Sequence, residues 1–172
     1  MNKKIVGVIA VVALLSVGFF VSQYLKEDNT ASSGTLSLQA SIPTQVDGFR
    51  LDSVITGDEA IQNISRLHGT DIEIVDGLVA EYASSDSHFV VWISQSSDEQ
   101  EAKYLLDIMD EKIPASPVFT NRQEFVIGDT TYYYVTGAGM ENYYWYKGTK
   151  VYWVGITSGN DMEILRTVIN SM

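Results

Sequence analysis

Residues 131–157, TYYYVTGAGMENYYWYKGTKVYWVGIT, hold seven of the ten tyrosines and two of the three tryptophans in this 172-residue chain. Rings with polar tips are enriched at interfaces, and sugars or peptides could stack on them. Side chains alternate across a strand. Tyr132 and Tyr134 should therefore share a side opposite Tyr133 and Val135, while Tyr143 and Trp145 oppose Tyr144 and Tyr146. Tyr132, Tyr134, Tyr143, Trp145 and Trp153 form the candidate contact face. The competing reading is structural, since tyrosine suits a half-buried strand and its hydroxyl reaches water from there. A register slip of one residue would exchange the two sets.

A second candidate combines His68 with Asp71 and Glu73 in HGTDIEIVDG, where an extended segment would put both carboxylates on one side. Imidazole with carboxylates suits a metal or small-molecule carrier. The simpler reading makes His68 a partner for the last carbonyls of a helix. His88 opens a strand and is expected to face solvent. Gly137-Ala138-Gly139 lacks the third glycine of a phosphate loop and links two strands. No Gly-x-Ser-x-Gly elbow is present, and with no cysteine there is no thiolate chemistry. No set of catalytic roles is complete, so no enzyme activity and no cofactor are expected.

The elements that must position these residues begin with an apolar run. Met1-Asn2-Lys3-Lys4 precedes IVGVIAVVALLSVGFFVSQYL, in which Ser16 is the single polar residue from Ile5 to Val21. That length just suffices for a membrane helix, and the lysines before it orient the N-terminus inward. A cleaved secretory signal is the alternative, although its apolar region is normally shorter and ends in small residues. All 22 acidic residues lie after Lys26, and the whole chain carries a formal charge of −11. Nucleic acid is thus a poor partner, since binding it needs a basic face. The expected organisation is a cytoplasmic tail (1–4), an anchor (5–25), a flexible tether (26–46) and one extracytoplasmic domain (47–172).

Within that domain, capping chemistry predicts three helices. Thr56 and Glu59 suit a capping box before Ile61, Ile64 and Leu67, with Gly69 as the stop. Ser97 and Gln100 do the same before Ala102, Leu105, Leu106, Met109 and Ile113. Asn160 precedes Ile164, Leu165, Val168 and Ile169. Between them lie strand pairs, DGLVAEYASS with HFVVWISQ, then two hairpins turning at Gly128-Asp129 and at Lys147-Gly148-Thr149-Lys150. The order (β)αββαββββα predicts an α+β domain with an antiparallel sheet and its helices mainly on one face. Trp92 and Trp153 also correspond at an offset of 61 in two strand–cap–helix segments whose helical stripes match at 63, a hint of duplication.

The strings ISRLHGTDIEIVDGLVAEY, VVWIS and YYWYKGTKVYW, spanning most of 57–157, resemble an uncharacterised family of prokaryotic proteins with an N-terminal anchor. The resemblance implies a bacterial or archaeal extracytoplasmic domain, and it implies no activity and no site residues. The expectation is a non-catalytic, single-pass membrane protein whose outer domain binds a protein partner or itself. The alternative is the carrier centred on His68.

Overall fold

The structure, a computed structural model, describes residues 38–68, 72–157 and 161–172, without the side chains of 67 and 68. The expected anchor therefore lies outside the described residues, and no helix among those described is long and apolar enough to cross a membrane.

Eight strands form one antiparallel sheet: β1 (Gln45–Val46), β2 (Phe49–Thr56), β3 (Asp76–Ala83), β4 (His88–Gln95), β5 (Phe119–Ile127), β6 (Thr130–Gly137), β7 (Met140–Lys147) and β8 (Lys150–Ile156). Three helices, α1 (Gly57–His68), α2 (Glu99–Lys112) and α3 (Asp161–Ser171), complete the predicted α+β order. The spatial order β1-β2-β3-β4-β8-β7-β6-β5 joins two meanders at their last strands. There Trp92 and Trp153 are direct cross-strand partners.

The described residues begin at Leu38, nine residues before the expected start of the domain at Asp47. A short 3₁₀ turn, Leu38–Ser41, buries Leu38, and the Pro43 carbonyl accepts a 2.8 Å hydrogen bond from the Tyr82 hydroxyl. The second helix is capped one residue later than the pattern suggested. Asp98 accepts from the Glu101 amide at 2.9 Å, while Ser97 donates to the Glu101 side chain. A carboxylate at the N-cap meets the helix dipole better than a hydroxyl does.

The helices cover both faces of the sheet, not one. Ile164, Leu165 and Val168 of α3 pack with Tyr82, Phe89, Tyr143, Tyr152 and Val154 on the first face. On the second face α1 packs on Val79 and Trp92, while α2 packs on Val135, Tyr144 and Val151. The two strand–cap–helix segments thus set their tryptophans against each other and send their helices to opposite faces. Even-numbered and odd-numbered positions are both apolar along β7 and β8, so each face needs its own cover.

Candidate functional site

Register explains the density of rings. On the first face Phe125 pairs across strands with Tyr132 and Trp145 with Tyr152, and the rings of Tyr132 and Trp145 join the two pairs. Their neighbouring ring centroids lie 5.7, 5.1 and 4.9 Å apart. On the second face Tyr133, Tyr144 and Trp153 form a parallel row with centroids 5.2 and 5.1 Å apart. The Arg122 guanidinium closes that row 5.1 Å above the Tyr133 ring. Such pairs each add roughly 0.5–1.5 kcal/mol beyond the area they bury. The aromatic stretch forms two ladders, one in each layer of the core.

The residues expected to make a contact face are accordingly distributed otherwise. Tyr132, Tyr143 and Trp145 are 3, 2 and 2% exposed and belong to the core beneath α3. Tyr134 shares their face and is half-buried beside Tyr143, its hydroxyl donating to Glu141. Trp153 points to the opposite face, where its indole N–H donates to Asn142 Oδ1 at 3.1 Å. Asn142 is itself buried, and its amide nitrogen donates to the carbonyls of Gly137 and Met140, tying the ladder to the β6–β7 turn.

The tyrosine hydroxyls anchor the helices to the sheet. Tyr143 donates to Asp161 at the start of α3, and burial together with that carboxylate raises its pKa well above the ordinary tyrosine value. Tyr144 donates to Asp110 of α2 at 2.7 Å and is raised in the same way. Asp110 also takes a two-pronged bond from Arg122 at 2.8 and 2.7 Å. Burial acts to raise the Asp110 pKa, and the bonds from Arg122 and Tyr144 with the Arg122 charge outweigh it, leaving the pKa lowered.

The metal candidate is not assembled among the described residues. The backbone of His68 ends α1, Asp71 lies outside the described residues, and Glu73 is exposed in the segment leading to β3. No group of three or more His, Cys, Asp or Glu among the described residues could hold a metal ion. His88 is exposed at the start of β4, with its carbonyl accepting from Thr157 at 2.7 Å. Gly137 ends β6 and Gly139 lies in the turn to β7, so the pair links two strands and opens no helix, as expected from their spacing. Beside that turn lies an open hollow of about 330 Å³ lined by Thr120, Thr136, Met140 and Glu141, whose carboxylate is already engaged by Tyr134.

A different surface emerges at the far edge of the sheet. Among the described residues β5 pairs with β6 alone, and both of its faces are sparsely covered. A bulge lies between Thr120 and Gln123, where Asn121 has a positive φ of 59°. Beyond it Gln123–Ile127 pairs regularly with β6, and Val126 and Ile127 are 65 and 36% exposed. Sequence reasoning passed over these residues, because strand order decides which strand is an edge.

No family model and no curated protein matches the sequence. Among solved structures the chain is similar in fold to a GTP-binding regulator from Thermotoga maritima, with a TM-score of 0.50 and 14% identity, covering 73% of this chain and 79% of that one.

Proposed function

We propose that this protein is a membrane-anchored, extracytoplasmic interaction domain without catalytic activity, and that its contact region is the β5 edge rather than the aromatic ladders. The observation that carries this is the regular, exposed segment Gln123–Ile127. An edge strand offers a row of unpaired backbone groups, and proteins normally blunt such edges with bulges, charges or proline. The bulge and Arg122 blunt the first half of β5. The second half has no bulge and no proline, Glu124 is its one charge, and its exposed side chains include Val126 and Ile127. The apolar run at 5–25, preceded by two lysines, supports the anchor, and the resemblance to prokaryotic anchored proteins agrees with it.

The position of this edge fits an anchored domain. The chain enters through β1, at the opposite side of the sheet. Seven strand spacings separate the two, roughly 34 Å at about 4.8 Å each. The β5 edge is therefore the side of the sheet furthest from β1, the first described strand. The likeness to a GTP-binding regulator concerns the fold, and Gly137-Ala138-Gly139 gives a nucleotide no phosphate loop.

A photocrosslinking side chain placed at Val126 of the full chain in its membrane tests this reading. Tyr104 on α2 is 66% exposed and serves as an equally accessible control. Discrete adducts from position 126 and none from 104 are expected. Equal labelling at both positions, or none at 126, would overturn it.

A further inference from the structure

We infer that the partner at the β5 edge is a second copy of this chain, paired antiparallel about Phe125 so that two sheets become one. The inference rests on the reading of β5 as the contact edge and names its occupant. The two-residue turn Gly128-Asp129 closes on the pair Ile127 and Thr130. In such a hairpin the closing residues exchange both backbone bonds. Ile127, and by alternation Phe125 and Gln123, thus direct their backbone groups at β6. Glu124 and Val126 direct theirs outward, where a further strand would meet them.

The sequence of this segment is complementary to itself in one register. A two-fold axis through Phe125 sets Phe125 against its own copy, Glu124 opposite Val126 and Gln123 opposite Ile127. Like faces then meet, as a two-fold axis perpendicular to the sheet requires. Glu124 and Val126, the outward pair, exchange their backbone bonds with Val126 and Glu124 of the other chain. Arg122 comes opposite Gly128, and no two carboxylates are set directly opposite each other. Neighbouring registers lose these features. An axis through Glu124 opposes two carboxylates and one through Gln123 brings the Asn121 bulge into the ladder. An axis through Val126 leaves just Phe125–Ile127 to pair.

Five residues per chain span about 17 Å, so the junction is smaller than the roughly 1,000 Å² of a stable soluble interface. Two anchored copies in one membrane meet at a much higher effective concentration. Association is therefore expected in the membrane, and it should be weak in dilute solution.

The absence of native cysteine makes the test direct. Full-length chains carrying Gln123→Cys and Ile127→Cys are co-expressed and oxidised in the membrane. These positions lie opposite each other at about 4.5 Å between Cα atoms, within disulfide reach. Copies of the same position are several residues apart along the strand. The mixture should give at least about tenfold more disulfide dimer than either variant alone, and Val126→Glu in both chains, which sets two carboxylates opposite each other on each side of the axis, should abolish the excess. Dimer no greater than that of the single variants would overturn self-pairing. So would equal dimer from Asp52→Cys on the opposite side of the sheet. If the photoprobe at Val126 instead labels a protein of different mass, self-pairing falls and the contact edge stands. No adduct at Val126 removes both.

Discussion

The centre of the sheet and its β5 edge carry apolar side chains to opposite ends. Across β7 and β8 the rings of Tyr143, Trp145 and Tyr152 are closed under α3, and Tyr144 is closed under α2. On β5, by contrast, Val126 stands largely in solvent and Ile127 is partly exposed beside it. Ring content marks where the fold is held, and exposure at an unpaired edge marks where a partner can add. A tyrosine-rich stretch is a poor guide to a contact face when a helix covers each side of it.

Substitutions separate the two regions in graded steps. Trp145→Ala removes a 2% exposed indole stacked between Tyr132 and Tyr152, and should cost about 3–5 kcal/mol by urea unfolding. An unchanged midpoint would return Trp145 to the surface. Asn142→Ala leaves the Trp153 indole N–H and two turn carbonyls without their partner, at a cost of about 2 kcal/mol in the same assay. At the edge, Val126→Glu should shift stability by less than about 0.5 kcal/mol while removing the membrane dimer, because it opposes Glu124 of the other copy.

Alkaline pH probes the same contrast through the hydroxyls. The pKa of Tyr134 is pushed up to about 12 by its bond to Glu141 and by burial, and that of Tyr82 to about 12 by burial. Tyrosine in the unfolded chain ionises near 10. The contribution of these groups is complete below pH 10 and is lost as the pH rises through about 12. Spectrophotometric titration with circular dichroism should show tyrosinate formation and unfolding together above pH 10. Ionisation of all ten tyrosines near pH 10 with the fold intact would contradict the closed ladders.

Much of the fold was legible because its signals are local. The Gly128-Asp129 and Lys147–Lys150 turns set two hairpins, and the stripes of α2 and α3 follow the predicted apolar positions. Trp153 was grouped with the wrong face, although the turn beside it fixes its side. A two-residue turn at Gly148-Thr149 pairs Lys147 with Lys150, which makes Tyr152, and not Trp153, the partner of Trp145. What the sequence did not reveal depends on order in space. Aromatics on both sides of a strand do not tell which face a helix will cover, and α2 and α3 took opposite ones. Strand order, which puts β5 at the rim, has no local signature, so Val126 and Ile127 drew no attention.

Hydrogen exchange of the full chain reads both regions in one experiment, comparing chain diluted in detergent with chain at high density in membranes. The β7 and β8 amides should exchange slowly in both states, through global unfolding. Those of Glu124 and Val126 should exchange quickly in detergent and gain protection in the membrane. Glu124 and Val126 equally unprotected in both states, or β7 and β8 exchanging as fast as they do, would contradict a closed aromatic centre with its contact at the β5 edge.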